Sequence, residues 1–128
     1  ILVLYDPMDL GKVIFHSVAN DGINERRAEF NRLADLNNQI RNIGEEAEAV
    51  ITMVEDLGLD YPNKNGRAKR IFLRVTPKSG ASFNSETHAL IVYTATEKYS
   101  EGKKVFVKFI PGKPERVALD SERNKLIS

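Results

Sequence analysis

The sequence predicts an α+β fold: an N-terminal strand pair, one long heptad-patterned helix, and an antiparallel β-meander of about four strands. Three observations predict it. Apolar residues recur with a seven-residue period through the middle of the first half, β-branched and aromatic residues alternate with polar ones through the second half, and a breaker-rich stretch separates the two. At 128 residues the chain fits a single domain over 1–128, long enough to bury a core without disulfides or metals. The expected segments are a strand pair over 1–19, a helix over 23–58, a sheet over 68–119 and a polar tail over 120–128.

The first element reads as extended chain. Ile1 to Tyr5 leads into a turn at Asp6-Pro7-Met8-Asp9, and Lys12 to Val18 returns to β-branched and aromatic residues. Asn20-Asp21-Gly22 then offers a helix entry, with acidic Glu25 placed where the helix dipole favours it.

The helix expectation rests on two interleaved series. Leu33, Ile40, Ala47 and Val54 fall seven apart, and Leu36, Ile43, Val50 and Leu57 do the same three positions later, with Phe30 and Ile51 widening the stripe. The other face is polar, from Arg32 and Asp35 through Glu45, Glu46 and Glu48 to Glu55 and Asp56. The same stripe would serve a helix lying on its own sheet. A helix from Ile23 to Leu57 would run to about 50 Å, however, longer than a chain of this size can cover, so the overhang calls for a partner. Gly44 could divide the helix into an antiparallel pair, but the heptad phase passes through it unshifted, which favours one helix. The eight seam positions, Leu33, Leu36, Ile40, Ile43, Ala47, Val50, Val54 and Leu57, are therefore the expected homo-oligomer interface.

After Gly58, Asp60-Tyr61-Pro62-Asn63-Lys64-Asn65-Gly66 is dense in breakers and reads as a loop. The meander follows: Arg70 to Thr76 alternates, Thr87 to Thr96 is apolar on both faces and so central, Lys104 to Ile110 alternates again, and Pro111-Gly112 sets a turn before Val117 to Leu119. The polar tail from Asp120 to Ser128 is expected to fray or dock late.

Two of these strands share a pattern with chemical meaning. Arg70, Phe72 and Arg74 lie on one face of the first, and Lys104, Phe106 and Lys108 on one face of the later strand. Aromatic rings between cations on a flat sheet are what single-stranded nucleic acids use, since bases stack on rings and phosphates meet Lys and Arg. With Lys69, these seven residues are the candidate nucleic-acid-binding set. Charge is also polarised: Tyr61 to Ser85 holds six cations and no carboxylate, whereas Glu45 to Asp60 holds six carboxylates and no cation, although the net charge is only +1. Such polarity could equally join the acidic end of one protomer to the basic loop of the next.

Catalytic chemistry has little to stand on. Without cysteine there is no thiolate nucleophile, disulfide frame or cysteine zinc site. His16 and His88, both expected in strands, have no metal-ligand spacing; the serines of Ser79 to Ser85 sit in no nucleophile elbow; Pro111-Gly112-Lys113-Pro114 lacks the spacing of a phosphate loop. The expectation is a protein that is not an enzyme, with no cofactor, no metal and no small-molecule substrate. No apolar run is long enough to span a bilayer, and Ile1-Leu2-Val3-Leu4 is too short for a signal-peptide core, which leaves localisation open and gives no membrane partner. A chain that starts at Ile suggests processing or a piece of something longer.

One segment resembles a known family. Val3-Leu4-Tyr5-Asp6-Pro7-Met8-Asp9-Leu10-Gly11-Lys12-Val13 is similar to the opening of the small C-terminal β-barrel of Mu-type transposases, where a strand runs into Tyr-Asp-Pro-x-Asp-Leu and then a second strand. The resemblance covers about a tenth of the chain, and the family's barrel continues in β-structure where this chain enters a helix. It implies a non-catalytic appendage of a DNA-transposition or phage-related protein and carries over no functional residue. The leading expectation is thus a structural or assembly protein that self-associates through the helix; the alternative is a nucleic-acid-binding module.

Overall fold

The computed structural model describes residues 15–125, with side chains described from residue 22 onward. The chain divides into two units, Ile1–Asn31 and Arg32–Ser128. The first element, α1, spans Phe15–Ile43 and crosses that division. The expected strand from Lys12 to Val18 is therefore helical from Phe15 on, and His16 lies in α1 rather than in a strand. Gly22 costs a helix only about 1 kcal/mol relative to Ala, too little to stop one followed by Glu25-Arg26-Arg27-Ala28-Glu29, all good helix formers. The expected strand at Ile1 to Tyr5, and most of the transposase-like segment, lie outside the described residues.

The long helix over 23–58 is corrected more sharply. Helix α1 stops at Ile43, its last turn closed by Gly44 N donating to Ile40 O at 2.7 Å, and Glu45–Tyr61 is strand β1. Both periods fit the sequence here. Ala47, Val50, Val54 and Leu57 continue the heptad, but Ala47, Ala49 and Ile51 also alternate with Glu46, Glu48 and Val50, and the run Val50-Ile51-Thr52 is β-branched. Long-range pairing selects the strand, because β1 is hydrogen-bonded along both edges: Ala47 lies opposite Pro77 on one side and Val107 on the other.

Gly44 makes the change of direction possible. A Cβ there would sit 2.5 Å from Ile40 O and 2.9 Å from Phe109 O, so the helix can deliver its chain directly onto the sheet only through a residue without a side chain.

Strands β2 (Gly66–Pro77), β3 (Phe83–Val92), β4 (Lys104–Ile110) and β5 (Lys113–Leu119) complete a five-stranded antiparallel sheet in the order β3-β2-β1-β4-β5. The fifth strand is the one taken from the expected helix. Odd-numbered residues of β2, β3, β4 and β5 and the first half of β1 face one continuous core: Ala47, Ala49, Ile51, Ile71, Leu73, Val75, Ile91, Val105, Val107, Phe109, Val117 and Leu119.

The sheet curls. Its edge strands β3 and β5 both run parallel to β1, and their Cα atoms come within 8 Å of each other although no ladder joins them. Side chains close this seam. Arg116 Nη2 lies 3.2 Å from His88 Nδ1; from α1, Asn37 Nδ2 donates to His88 O at 2.6 Å on β3, and Arg41 Nε donates to Leu119 O at 2.8 Å on β5. Strand β3, expected in the centre because both its faces are apolar, is instead an edge strand, and Asn37 of the helix bonds its His88 carbonyl. It also ends earlier than expected, the chain passing into a 3₁₀ turn at Tyr93–Ala95.

The tail does not fray over its described part. Asp120 caps a short helix α2 (Ser121–Asn124), and the fully buried Asn124 pairs with both backbone groups of Phe106, accepting from its N at 2.7 Å and donating to its O at 2.9 Å.

Candidate nucleic-acid interface

The sequence placed Arg70, Phe72, Arg74 and Lys104, Phe106, Lys108 on one surface, and they do share the outer face of the curled sheet. They are not neighbours. Strand β1 lies between β2 and β4, and its outward residues are interleaved with theirs. Val50 stands opposite both Arg74 and Lys104, Met53 opposite Phe72, Glu55 opposite Arg70, Glu48 opposite Phe106 and Glu46 opposite Lys108. Lys69 is not on this face at all, since alternation along β2 turns it to the inner side, where its Nζ lies 3.2 Å from Asp56 Oδ2.

Interleaving changes the electrostatics. Arg70 makes a two-pronged pair with Glu86, at 2.9 and 3.1 Å, comes within 3.6 Å of Glu55, and lies 4.7 Å over the Phe72 ring. Hydrogen bonding to Arg70 is the main reason that the Glu86 carboxyl is held below its ordinary range. Lys104 Nζ is 3.5 Å from Glu48, Lys108 Nζ donates to Arg41 O at 3.3 Å, and Arg123 covers the Phe106 ring at 4.1 Å. Of the five cations among the candidates, Arg74 and Lys108 form neither an ion pair nor a ring contact among the described residues; Arg74 Nη1 donates to Asn84 Oδ1 at 3.2 Å. The even basic–aromatic surface read from the sequence is therefore a chequerboard, and phosphate must compete with carboxylates for Arg70 and Lys104.

What remains open is the centre. Val50 and Met53 are 41% and 46% exposed on the solvent side of β1, beside half-buried Phe72 and flanked by Arg74 and Lys104. The sequence reading missed both as surface residues. It assigned Val50 to the helix seam, and only the β-branched run around it could have signalled a strand.

The expected oligomer interface is dispersed by the same change. Leu33 and Ile40 are buried on α1 and Leu36 is half-buried, but Ile43 is 72% exposed. Ala47 faces the barrel core, Val50 faces solvent, Val54 packs against the core, and Leu57 sits in an irregular stretch of β1 between Asp56 and Asp60. The eight residues form no single stripe, because a strand alternates its side chains where a helix would align them.

Elsewhere the geometry is that of satisfied structure. Asp56 accepts from Arg67 at 2.9 and 3.0 Å and from Gly58 N at 2.7 Å, and these bonds, Arg67 first, hold its carboxyl well below the usual range. Tyr93 donates to Asp60 from the turn after β3. Among the described residues no cluster of His, Asp and Glu could hold a metal, and no helix is long and apolar enough to cross a membrane. No family model, curated protein or solved structure matches the chain.

Proposed function

We propose that the outer face of the β1–β2–β4 region binds single-stranded nucleic acid, with Val50, Met53 and Phe72 as an apolar platform and Arg74 and Lys104 as its phosphate contacts. The observation that carries this reading is the exposure of two apolar side chains on a sheet face between two cations. What sets them apart from other exposed apolar residues such as Ile43 is that cations flank them beside a half-buried aromatic ring. Five-stranded Greek-key barrels of the OB type use the face around strands 2 and 3 for oligonucleotides, and the closure of β3 against β5 gives this chain the same kind of curved platform. The transposase-like residues 3–13 accord with it.

The chequerboard of carboxylates sets the expected strength. With two or three phosphates met, log K should fall against log salt with a slope of about −1.5 to −2, far shallower than for a strongly basic protein. Fluorescence anisotropy with a labelled single strand of about a dozen nucleotides tests this. Arg74→Glu and Met53→Asp should each weaken binding several-fold while leaving the circular dichroism spectrum unchanged. Absence of binding at low salt, or binding indifferent to salt, refutes the proposal.

A further inference from the structure

The inner side of the sheet carries a second feature, remote in character from the platform. Where β1 and β2 extend past the end of β4, the connection from β3 to β4 folds over them and leaves a cavity of about 380 Å3 lined by Val54, Lys69, Ile91, Thr96, Tyr99, Ser100 and Glu101. That volume lies in the range of roughly 300–1,000 Å3 typical of small-ligand sites. Val54 and Ile91 are apolar, and half-buried Tyr99 adds a phenol ring.

The polar groups are asymmetric. Lys69 is the cation of the lining, only 19% exposed, and although it pairs with Asp56, that carboxylate already takes both prongs of Arg67. An ammonium has three N–H donors, so Lys69 keeps two for a ligand. The hydroxyls are committed in the opposite sense: Thr96 donates its proton to Tyr93 O at 2.9 Å and Ser100 to Glu97 O at 2.6 Å, leaving lone pairs to accept. Exposed Glu101 can only accept. The lining thus offers donors from one residue and acceptors from three.

We propose that this cavity binds a single-ring aromatic carboxylate bearing an amino or hydroxyl substituent, the carboxylate meeting Lys69 and the substituent donating to Thr96, Ser100 or Glu101. The apolar residues and Tyr99 supply the contact for the ring. No local pattern in the sequence points to a small ligand, since these seven residues come from four separate stretches.

Calorimetric titration with 4-aminobenzoate, benzoate, terephthalate and aniline tests the assignment. The order expected is 4-aminobenzoate, then benzoate, then terephthalate, whose second carboxylate faces Glu101. Lys69→Met should weaken 4-aminobenzoate about tenfold, the scale of one charge-assisted hydrogen bond, without changing aniline. Thr96→Trp, at an exposed lining position, should abolish binding of every probe, and Glu101→Lys should invert the preference toward terephthalate even if the Lys69 variant fails to fold. No heat with any probe at millimolar concentration, or equal affinity for 4-aminobenzoate and terephthalate, overturns the proposal. Nucleic-acid binding should be the same in the Thr96 and Glu101 variants, so the two sites stand or fall separately.

Discussion

Replacing Gly44 with Ala adds one methyl group at the point where helix becomes strand. That methyl would meet Ile40 O at 2.5 Å, Phe109 O at 2.9 Å and Phe109 N at 3.2 Å, all backbone atoms, so no side-chain rotation relieves the clash. The junction must open, at a cost of about 1–3 kcal/mol for overpacking, and the 2.7 Å bond from Gly44 N to Ile40 O is stretched, worth about 1 kcal/mol more. Against this, Ala loses less unfolded-chain entropy than Gly, a gain of about 0.4–1 kcal/mol. The balance is a loss of about 2 kcal/mol, roughly a thirtyfold shift toward the unfolded chain. Urea unfolding followed by far-ultraviolet circular dichroism measures it. Gly22→Ala is the control: it lies in the same helix with nothing within 4 Å of the added Cβ and should stabilise by about 0.5–1 kcal/mol. If both substitutions stabilise alike, the close passage of Gly44 beside Phe109 is wrong, and with it the end of α1.

The remaining predictions concern the helix stripe, the seam and pH. Ile40→Asp should cost more than about 3 kcal/mol, whereas Ile43→Asp, at a 72% exposed position, should stay within about 0.5 kcal/mol of the parent in the same urea titration; equal damage would restore the seven-residue seam. Asn37→Leu removes the donor to His88 O and should cost about 1–3 kcal/mol, with faster amide exchange in β3 and β5 while β1 stays protected. Asp56 and Glu86 have folded pKa values below their unfolded ones, so their stabilisation is present above pH of about 4 and is lost as pH falls toward the folded values. Asp56 is 43% exposed and screened, so Asp56→Asn should lower stability at neutral pH by under about 1 kcal/mol and flatten the acid limb of a stability-against-pH curve; an unchanged limb refutes the pairing.

The platform was partly legible. Alternation identified the outward faces of β2 and β4 correctly, because side-chain direction in a strand is a local property. What separates them, and what neutralises them, was not legible. The sequence holds Glu46, Glu48 and Glu55 in a stretch that fits a helix as well as a strand, and on a helix these carboxylates would have been far from Arg70, Lys104 and Lys108. The cavity was less legible still, since Lys69 reads as one more cation in a basic run until β2 turns it inward.

By itself the sequence determined a chain without cysteine chemistry, a helix carrying Leu33 and Ile40 on its buried side, alternating strands at 70–76 and 104–110, and a turn at Pro111-Gly112. Each of these follows from a pattern read over a few residues. Only the tertiary structure decided that residues 45–61 join the sheet. Ala47 to Leu57 satisfies both periods, and the choice lies with hydrogen bonds to Gly66–Pro77 and Lys104–Ile110, partners that local propensity does not contain. Once β1 takes the centre, the helix must end at Gly44, the heptad seam is dispersed, and carboxylates come to lie between the two basic strands.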